Sequence, residues 1–371
     1  ETAMAVTPRA GSDHYGSCTK YSWRWTPRRC RSIQLISMGT ENKPLLSIKN
    51  LKTIFDLDEG SVKAVDGVSL ILKDGQTLGL VGESGCGKST LAKTVVGLIK
   101  PTSGSVKFKG NEVLRSGRSM PKSYRREVQM VFQDPAESLN SRHTVGAIVR
   151  EPLEIHGMGN RDQQNERVIH LLEQVGLPAS CSTRYPFEFS GGQRQRIGIA
   201  RSLALNPDML LLDEPVSALD VSVQSQVLNL LMELQNKLGL SYMFIAHDLA
   251  VVKHVSDMIA VMYLGKIVEI ASAEELYSNP LHNYTKALIS SIPLPDPTQS
   301  TSKVIIPGDV PSPINPPPGC AFGHRVSSPR YPESIGEILE MKEIEKNHWV
   351  LACPCLSLIH ISEPTRPLYT S

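Results

Sequence analysis

The run GESGCGKST, residues 82–90, carries the strongest chemical signal in this 371-residue sequence. It fits G-x-x-x-x-G-K-[ST] and lies between the apolar run Thr77–Val81 and a helical stretch reaching Ile99. A strand, a glycine turn and a helix start, in that order, make a phosphate cradle. Glycine lets backbone N–H groups approach an anion with no Cβ between them. The helix N-terminus adds partial positive charge. Lys88 is placed to neutralise β- and γ-phosphates, and Ser89 to offer its hydroxyl to Mg²⁺. The candidate nucleotide-binding residues are Gly82, Glu83, Ser84, Gly85, Cys86, Gly87, Lys88, Ser89 and Thr90. Cys86 reads as a small filler and not as a redox group.

LLLDEP, residues 210–215, is the second signal. Three apolar residues deliver two carboxylates to the C-terminal edge of a sheet, where α/β proteins bind ligands. Asp213 is the candidate Mg²⁺ ligand, through water, and Glu214 the candidate base for an attacking water. The third signal is FSGGQRQR, residues 189–196. Ser190, Gly191, Gly192 and Gln193 open a helical pattern running through Leu203, which makes a second anion site. A second such site is surplus within one chain, unless it closes on nucleotide held by another.

These groups need a scaffold, and the surrounding pattern supplies one. Val68, Leu70 and Leu72 alternate as in a half-buried strand, and so do Val106 and Phe108, which predicts a small antiparallel layer. Thr77–Val81, Met209–Leu212 and Tyr242–Ala246 suit buried parallel strands. Val221–Leu238 has Val223, Val227, Leu230, Leu231 and Leu234 at helical spacing. Residues 134–200 read mainly as helices inserted between two strands. The expected fold is α/β with a mostly parallel central sheet. Nine of the chain's 26 prolines fall in residues 293–318, an extended connector followed by a short region, 319–355.

Composition narrows the function classes. The net charge is +2, but residues 1–37 hold a surplus of four positive charges, so the other 334 residues carry −2. A near-neutral body argues against bulk nucleic-acid binding. No apolar run reaches the ~18 residues of a membrane span. Seven irregularly spaced cysteines do not suggest a disulfide scaffold, and a reducing cytosol is the better expectation. Residues 1–37 lack any helical or strand period and read as a non-native leader ahead of Met38. The alternative is a basic arm that binds membrane or nucleic acid. LSLIHISEPTR, residues 356–366, resembles the translated end of a sequencing-library transposon, so 356–371 reads as a non-native tail; the alternative is a short native one.

Taken together and in this order, the motifs resemble those of an ABC-transporter ATPase subunit over residues 44–290. That resemblance implies a RecA-like phosphate-loop NTPase core with an antiparallel β subdomain, an inserted helical subdomain at about 134–200, and a Pro-rich C-terminal extension, 291–355. It implies ATP and Mg²⁺ as cofactors. In VFQDP, Gln133 matches the residue that senses Mg²⁺ and the attacking water. Ser217–Asp220 matches the loop crossing the dimer seam, with Asp220 at the nucleotide. In IAHD, His247 matches the switch histidine that contacts the γ-phosphate and orients Glu214. Phe55 matches the aromatic that stacks on adenine.

VKAVDGVSL, VFQDPAESLN, DEPVSALDVSVQSQVLNLL, AHDLAVVKHVSD and PSPINPPPGCAF resemble the ATPases of oligopeptide and dipeptide importers. The resemblance implies a second ATPase chain (a paralogue by the family's habit), two membrane permease subunits, an extracytoplasmic substrate-binding protein and no nucleic acid. It places the chain peripherally on the cytoplasmic face of the cell membrane. The alternatives are an importer for nickel or another small solute and, in a different class, a soluble ABC nucleotide switch uncoupled from transport. Ser141 departs from the proline more usual there. In the tail, Cys320 and Cys353 match a cluster that holds an iron–sulfur centre in many relatives, with Cys355 as a substitute third thiolate. Val326 and Ser334 stand where two other cysteines are expected. Four thiolates are the usual requirement, so anaerobically purified protein is expected to show no iron–sulfur absorbance; a band there would overturn this reading.

Overall fold

The computed structural model describes residues 44–115, 120–292 and 306–354. The expectations for residues 1–37, Cys355 and 356–371 fall outside them. Strands β1 (Pro44–Leu57) and β2 (Gly60–Lys73) form a long hairpin, joined by β4 (Ser103–Phe108) and β5 (Asn111–Arg115) in the order β2-β1-β4-β5. This is the expected antiparallel layer. Val68, Leu70, Leu72, Val106 and Phe108 are all buried in it.

The central sheet holds the chemistry. Its strands are β3 (Thr77–Val81), β6 (Val128–Val131), β7 (Met209–Asp213), β8 (Ser241–Ile245), β9 (Met258–Tyr263), β10 (Lys266–Ser272), β11 (Met341–Glu345) and β12 (His348–Leu351). The order is β11-β12-β10-β9-β3-β8-β7-β6. Strands β6, β7, β8, β3 and β9 run parallel; β10, β12 and β11 continue the sheet antiparallel. Every residue of β3, β7 and β8 is buried. Alternate residues feed two apolar clusters: Leu210, Leu212, Tyr242 and Phe244 pack on one face, Met209, Leu211, Met243 and Ile245 on the other. A strand covered on both faces must read as a continuous apolar run.

Helix α1 (Lys88–Val95) follows β3, and α2 (Lys122–Glu127) precedes β6. Between β6 and β7 come α3 (Pro135–Ser138), α4 (Val145–Ile155), α5 (Arg161–Gln174) and α6 (Gly191–Leu203). Asp134, Thr144, Asn160 and Ser190 cap them in turn. Then come α7 (Val221–Leu238), α8 (Leu249–Val255), α9 (Ala273–Ser278), α10 (Asn283–Ser290) and α11 (Ala321–Arg325).

Three local expectations need correction. Helix α1 stops at Val95 and does not reach Ile99, because Gly97 turns left-handed (φ 78°) and Leu98 and Ile99 N–H fold back onto Lys93 O. Strand β7 runs one residue further than Leu212, so Asp213 is itself a strand residue. Strand β8 lies one residue earlier than expected, leaving Ala246 in the loop.

The region after the prolines is more structured than its sequence suggests. Ile314 bridges to Val62, and Asn315 N–H donates to Ser61 O at 3.1 Å, so the connector lies along β2. Strand β12 joins β10 through Glu269–Val350 and Ile270–Trp349. Cys320, Phe322, Val350, Leu351 and Cys353 enter the main apolar cluster. Ser334 Oγ accepts from Cys320 N–H at 3.0 Å and donates to Tyr331 O at 2.6 Å, so that hydroxyl is committed to backbone groups.

Beneath this seam lies a buried imidazole with a consequence for stability. His282 is 1% exposed, and its Nδ1 accepts from Tyr284 N–H at 3.1 Å. Burial depresses its pKa to about 4; Glu269 opposes the shift and Lys286 adds to it. Between pH 6.5 and 4 the unfolded chain therefore binds a proton that the native one refuses, so stability falls as pH falls. We expect this group to remove about 2 kcal/mol between pH 7 and pH 5. Denaturant titrations of the native chain and His282→Asn at both pH values test it; equal pH slopes would contradict the assignment.

Candidate active site

The phosphate loop joins the end of β3 to α1. Its glycines are required for a reason other than the expected one. A Cβ on Gly87 (φ 107°) would sit 1.9 Å from Ala64 O, and one on Gly82 (φ 153°) 2.1 Å from Met262 O. These two residues seat the loop against β2 and β9, while Ser84 and Gly85 form its exposed crest. Helix α1 starts with no side-chain cap, so its first N–H groups remain available to an anion. Lys88 is buried, and its ammonium donates to Gly82 O at 2.8 Å and Glu83 O at 2.9 Å. Cys86 is buried, which raises its thiol pKa despite the nearby Lys88. It is a filler, as the sequence suggested.

Ser89 and Asp213 meet at this loop: Ser89 Oγ donates to Asp213 Oδ1 at 2.9 Å. Asp213 is 2% exposed. Burial pushes its pKa up, the Glu214 charge adds to this, and Ser89, Lys93 and Lys88 oppose it. Two hard oxygens side by side, one on a carboxylate that is costly to ionise unaided, fit a small divalent cation.

Glu214 follows with left-handed backbone (φ 45°), a conformation that bulky side chains rarely adopt. It is held there from both sides. Its N–H donates to Ile245 O at 3.0 Å, and its carbonyl accepts from Ser217 Oγ at 3.1 Å. The kink turns the carboxylate toward two neighbours. Gln133 Nε2 donates to Glu214 Oε2 at 3.1 Å, and His247 Nδ1 lies 3.3 Å from the same oxygen. Side-chain exposure is 15% for Glu214 and 59% for His247, so the acid is sheltered and the imidazole faces out.

A cavity of about 320 Å³ unites most of the predicted residues. Ser84, Gly85, Cys86, Gly87, Lys88, Ser89 and Thr90 line it with Gln133 and Glu214, and Phe55 stands in its wall, 38% exposed. Ser190, Gly191, Gly192, Gln193 and Asp220 do not line it. Ser190 and Gln193 form a reciprocal capping box at the start of α6. Gly192 lies so close to Val223 that a Cβ would sit 2.3 Å from it, so this helix start packs on the start of α7. There Asp220 accepts from Ser222 and Val223 N–H at 3.1 and 3.0 Å, which with the Ser222 hydroxyl lowers its pKa.

Three residues not marked as site residues in the sequence also belong to the site, two of them outside every motif and Pro313 within PSPINPPPGCAF. Pro313, from the connector, lines the cavity. Tyr284 OH accepts from Glu83 N–H at 2.9 Å. Arg325 donates to both oxygens of Glu83, at 3.1 and 2.9 Å, with its own side chain only 8% exposed. Arg325 lies 242 residues from its partner, and nothing local in the sequence marks that pairing. Arg325→Ala should raise the apparent Kd for ATP about fivefold, corresponding to about 1 kcal/mol from a charge-assisted pair. Glu83→Ala should do the same and the double variant no more; additive losses would show that the two residues act separately.

Comparison with known proteins fits this geometry. The "ABC transporter" family model matches residues 65–217, and "Oligopeptide/dipeptide transporter, C-terminal region" matches 268–327. The chain is 52% identical over 327 residues to the oligopeptide transport ATP-binding protein AppF of Bacillus subtilis, covering 85% of this chain and 98% of that one. It is 52% identical over 295 residues to the oligopeptide transport ATP-binding protein OppF of Escherichia coli, covering 76% and 88%. Among solved structures it resembles cbiO1 of Clostridium perfringens, part of the ABC transporter complex cbiONQ (TM-score 0.56, 27% identity, 64% of this chain and 91% of that one). It also resembles the ATP-binding cassette MJ0796, a dimer in a post-hydrolysis state with ADP and Pi (TM-score 0.56, 27% identity, 62% and 98%).

Proposed function

This chain belongs to the ATP-binding proteins of oligopeptide ABC transporters, and from that premise we propose how its residues do the work. It is an ATPase that powers peptide import. The observation that carries the site assignment is Glu214 Oε2, shared by Gln133 and His247 at the mouth of the phosphate-loop cavity.

In our reading, adenine stacks on Phe55 and the triphosphate lies along Ser84–Thr90. Lys88 exchanges the carbonyls of Gly82 and Glu83 for β- and γ-phosphate oxygens, a stronger, charge-assisted set. Ser89 and Asp213 would hold Mg²⁺, with Gln133 close by, and the ion when bound neutralises charge on the phosphates. Glu214 takes the proton from the attacking water. Gln133 and His247 keep the carboxylate aimed, and its strained backbone fixes its reach. Positioning and charge stabilisation are the main tasks in phosphoryl transfer.

Ser190–Gln193 and Asp220 lie off this cavity, and we assign them to the triphosphate of a second ATPase chain. Two chains packed head to tail would each cradle one nucleotide and cap the other. ATP closes the seam because both faces then contribute ligands to one γ-phosphate, and phosphate release reopens it. We assign the cleft of about 1170 Å³ lined by Gln133, Glu137, Glu151, Ile155 and Arg201 to a helix of one of two permease subunits. Gln133 borders both this cleft and the nucleotide cavity, which supports it as the link between them. No helix among the described residues is long and apolar enough to cross a membrane. We place the chain peripherally, on the cytoplasmic face, below permeases fed by an extracytoplasmic binding protein. Residues 44–290 form the ATPase part in this reading and 291–355 its extension.

Glu214→Gln should preserve ATP binding, lower hydrolysis roughly 10²–10⁴-fold, the usual scale for a general base, and trap a closed dimer. ATPase assays on the assembled complex test this; near-normal turnover would rule Glu214 out as the base.

A further inference from the structure

A second cluster of chemistry-bearing side chains lies where the C-terminal hairpin meets the core. Glu269, on β10, is fully buried and accepts from Leu281 N–H at 2.7 Å and His282 N–H at 2.9 Å. His348 Nε2, also fully buried, lies 2.8 Å from Glu269 Oε1. With two backbone N–H groups already donating to it, the carboxylate is an acceptor, and His348 Nε2 donates the third hydrogen bond. That leaves Nδ1 to face the other way.

Nδ1 has no hydrogen-bond partner, although it is buried. Glu275, on α9, places its Oε1 3.9 Å from it, and Glu345, at the end of β11, is the third member of the group. The ligand atoms of His348, Glu275 and Glu345 all lie within 4.8 Å of one another. An imidazole lone pair and two carboxylates converging with no donor among them is an unfavourable arrangement by itself. At 3.9 Å a proton on Nδ1 would be too far from Glu275 for a hydrogen bond.

We propose that His348 Nδ1, Glu275 and Glu345 bind one divalent transition-metal ion of the Zn²⁺ type. Imidazole nitrogen and carboxylate oxygen are both ligands that Zn²⁺ accepts, and three of them leave a fourth position for water. Glu269 supplies the outer carboxylate that fixes the ligand's tautomer and orientation, as metal-binding histidines require. The ion ties the β11–β12 hairpin to α9, beside the helix whose Tyr284 holds the phosphate loop. It is a structural staple for the extension, distinct from the nucleotide site.

The test uses the full chain, reduced and stripped with chelator, titrated with Zn²⁺. The native chain should bind one ion whose loss follows removal of these ligands. Its melting temperature should rise roughly 5 °C at a hundredfold excess over Kd. Glu345→Gln and Glu275→Gln should each weaken binding at least about tenfold while leaving the melting temperature in chelator unchanged or higher. Because Glu345 is exposed, its variant keeps the test valid even if substitution of buried Glu269 prevents folding. Substituted Co²⁺ should show no thiolate charge-transfer band, and Cys320→Ser/Cys353→Ser should retain the ion. Failure to bind Zn²⁺, unchanged affinity in both glutamate variants, or a thiolate band would each overturn the proposal.

Discussion

A carboxylate at the end of a strand that is dry on both faces is the constraint around which this molecule is organised. Asp213 closes β7, whose five residues are all buried, and Glu214 adds a second negative charge beside it. For buried Asp213 that charge is costly without compensation. The compensation comes from β3, whose loop and helix bring Ser89 onto Asp213 and Lys88 into the same region. These groups lie 124 residues apart in sequence and meet because β3, β8 and β7 are neighbours in one parallel sheet. The fold thus gathers a buried carboxylate, a hydroxyl and an ammonium beside the phosphate loop.

The same strand ends explain why Glu214 tolerates a strained backbone. Its N–H is tied to the neighbouring strand at Ile245, and its carbonyl is tied to Ser217. The first tie is to a buried strand and the second closes the turn that follows, so the left-handed conformation is held from both sides. The result is a carboxylate whose position depends little on its own side-chain freedom. Gln133, on the strand-to-helix loop after β6, and His247, on the loop after β8, approach it from the two adjacent strand ends. Three loops at one sheet edge therefore converge on one oxygen atom.

Most of this was legible in the sequence because the signals were local. A buried parallel strand must be a continuous apolar run, and TLGLV, MLLLD and SYMFI are such runs. The glycine loop, the Asp-Glu pair and the capping-box serine of α6 each sit within a few residues of the element that positions them. Where reading failed, the deciding contact was distant, except at the end of α1. Helix α1 ends early because Gly97 turns, a local cue that the apolar residues beyond it obscured. Strands β11 and β12 are short, and they join the sheet only because β12 pairs with β10 and β11 pairs in turn with β12. The glycines at 82 and 87 are required by carbonyls of Met262 and Ala64, which no spacing rule connects to them.

The extension is where distant contacts bear most directly on function. Glu83 is one residue from the crest of the phosphate loop, yet its carboxylate faces away from the cavity, onto Arg325, and its N–H is taken by Tyr284. A loop held at its rear by a shielded guanidinium and a buried phenol has fewer conformations to lose when triphosphate arrives, so more of the binding energy remains available. Pro313 lines the same cavity, carried there by the bridge between Ile314 and Val62. Chain that follows the ATPase motifs therefore touches the nucleotide cavity at its wall and braces its loop from behind. In physical terms the extension is part of the site's frame, and a change in how it docks reaches the phosphate loop directly at Glu83.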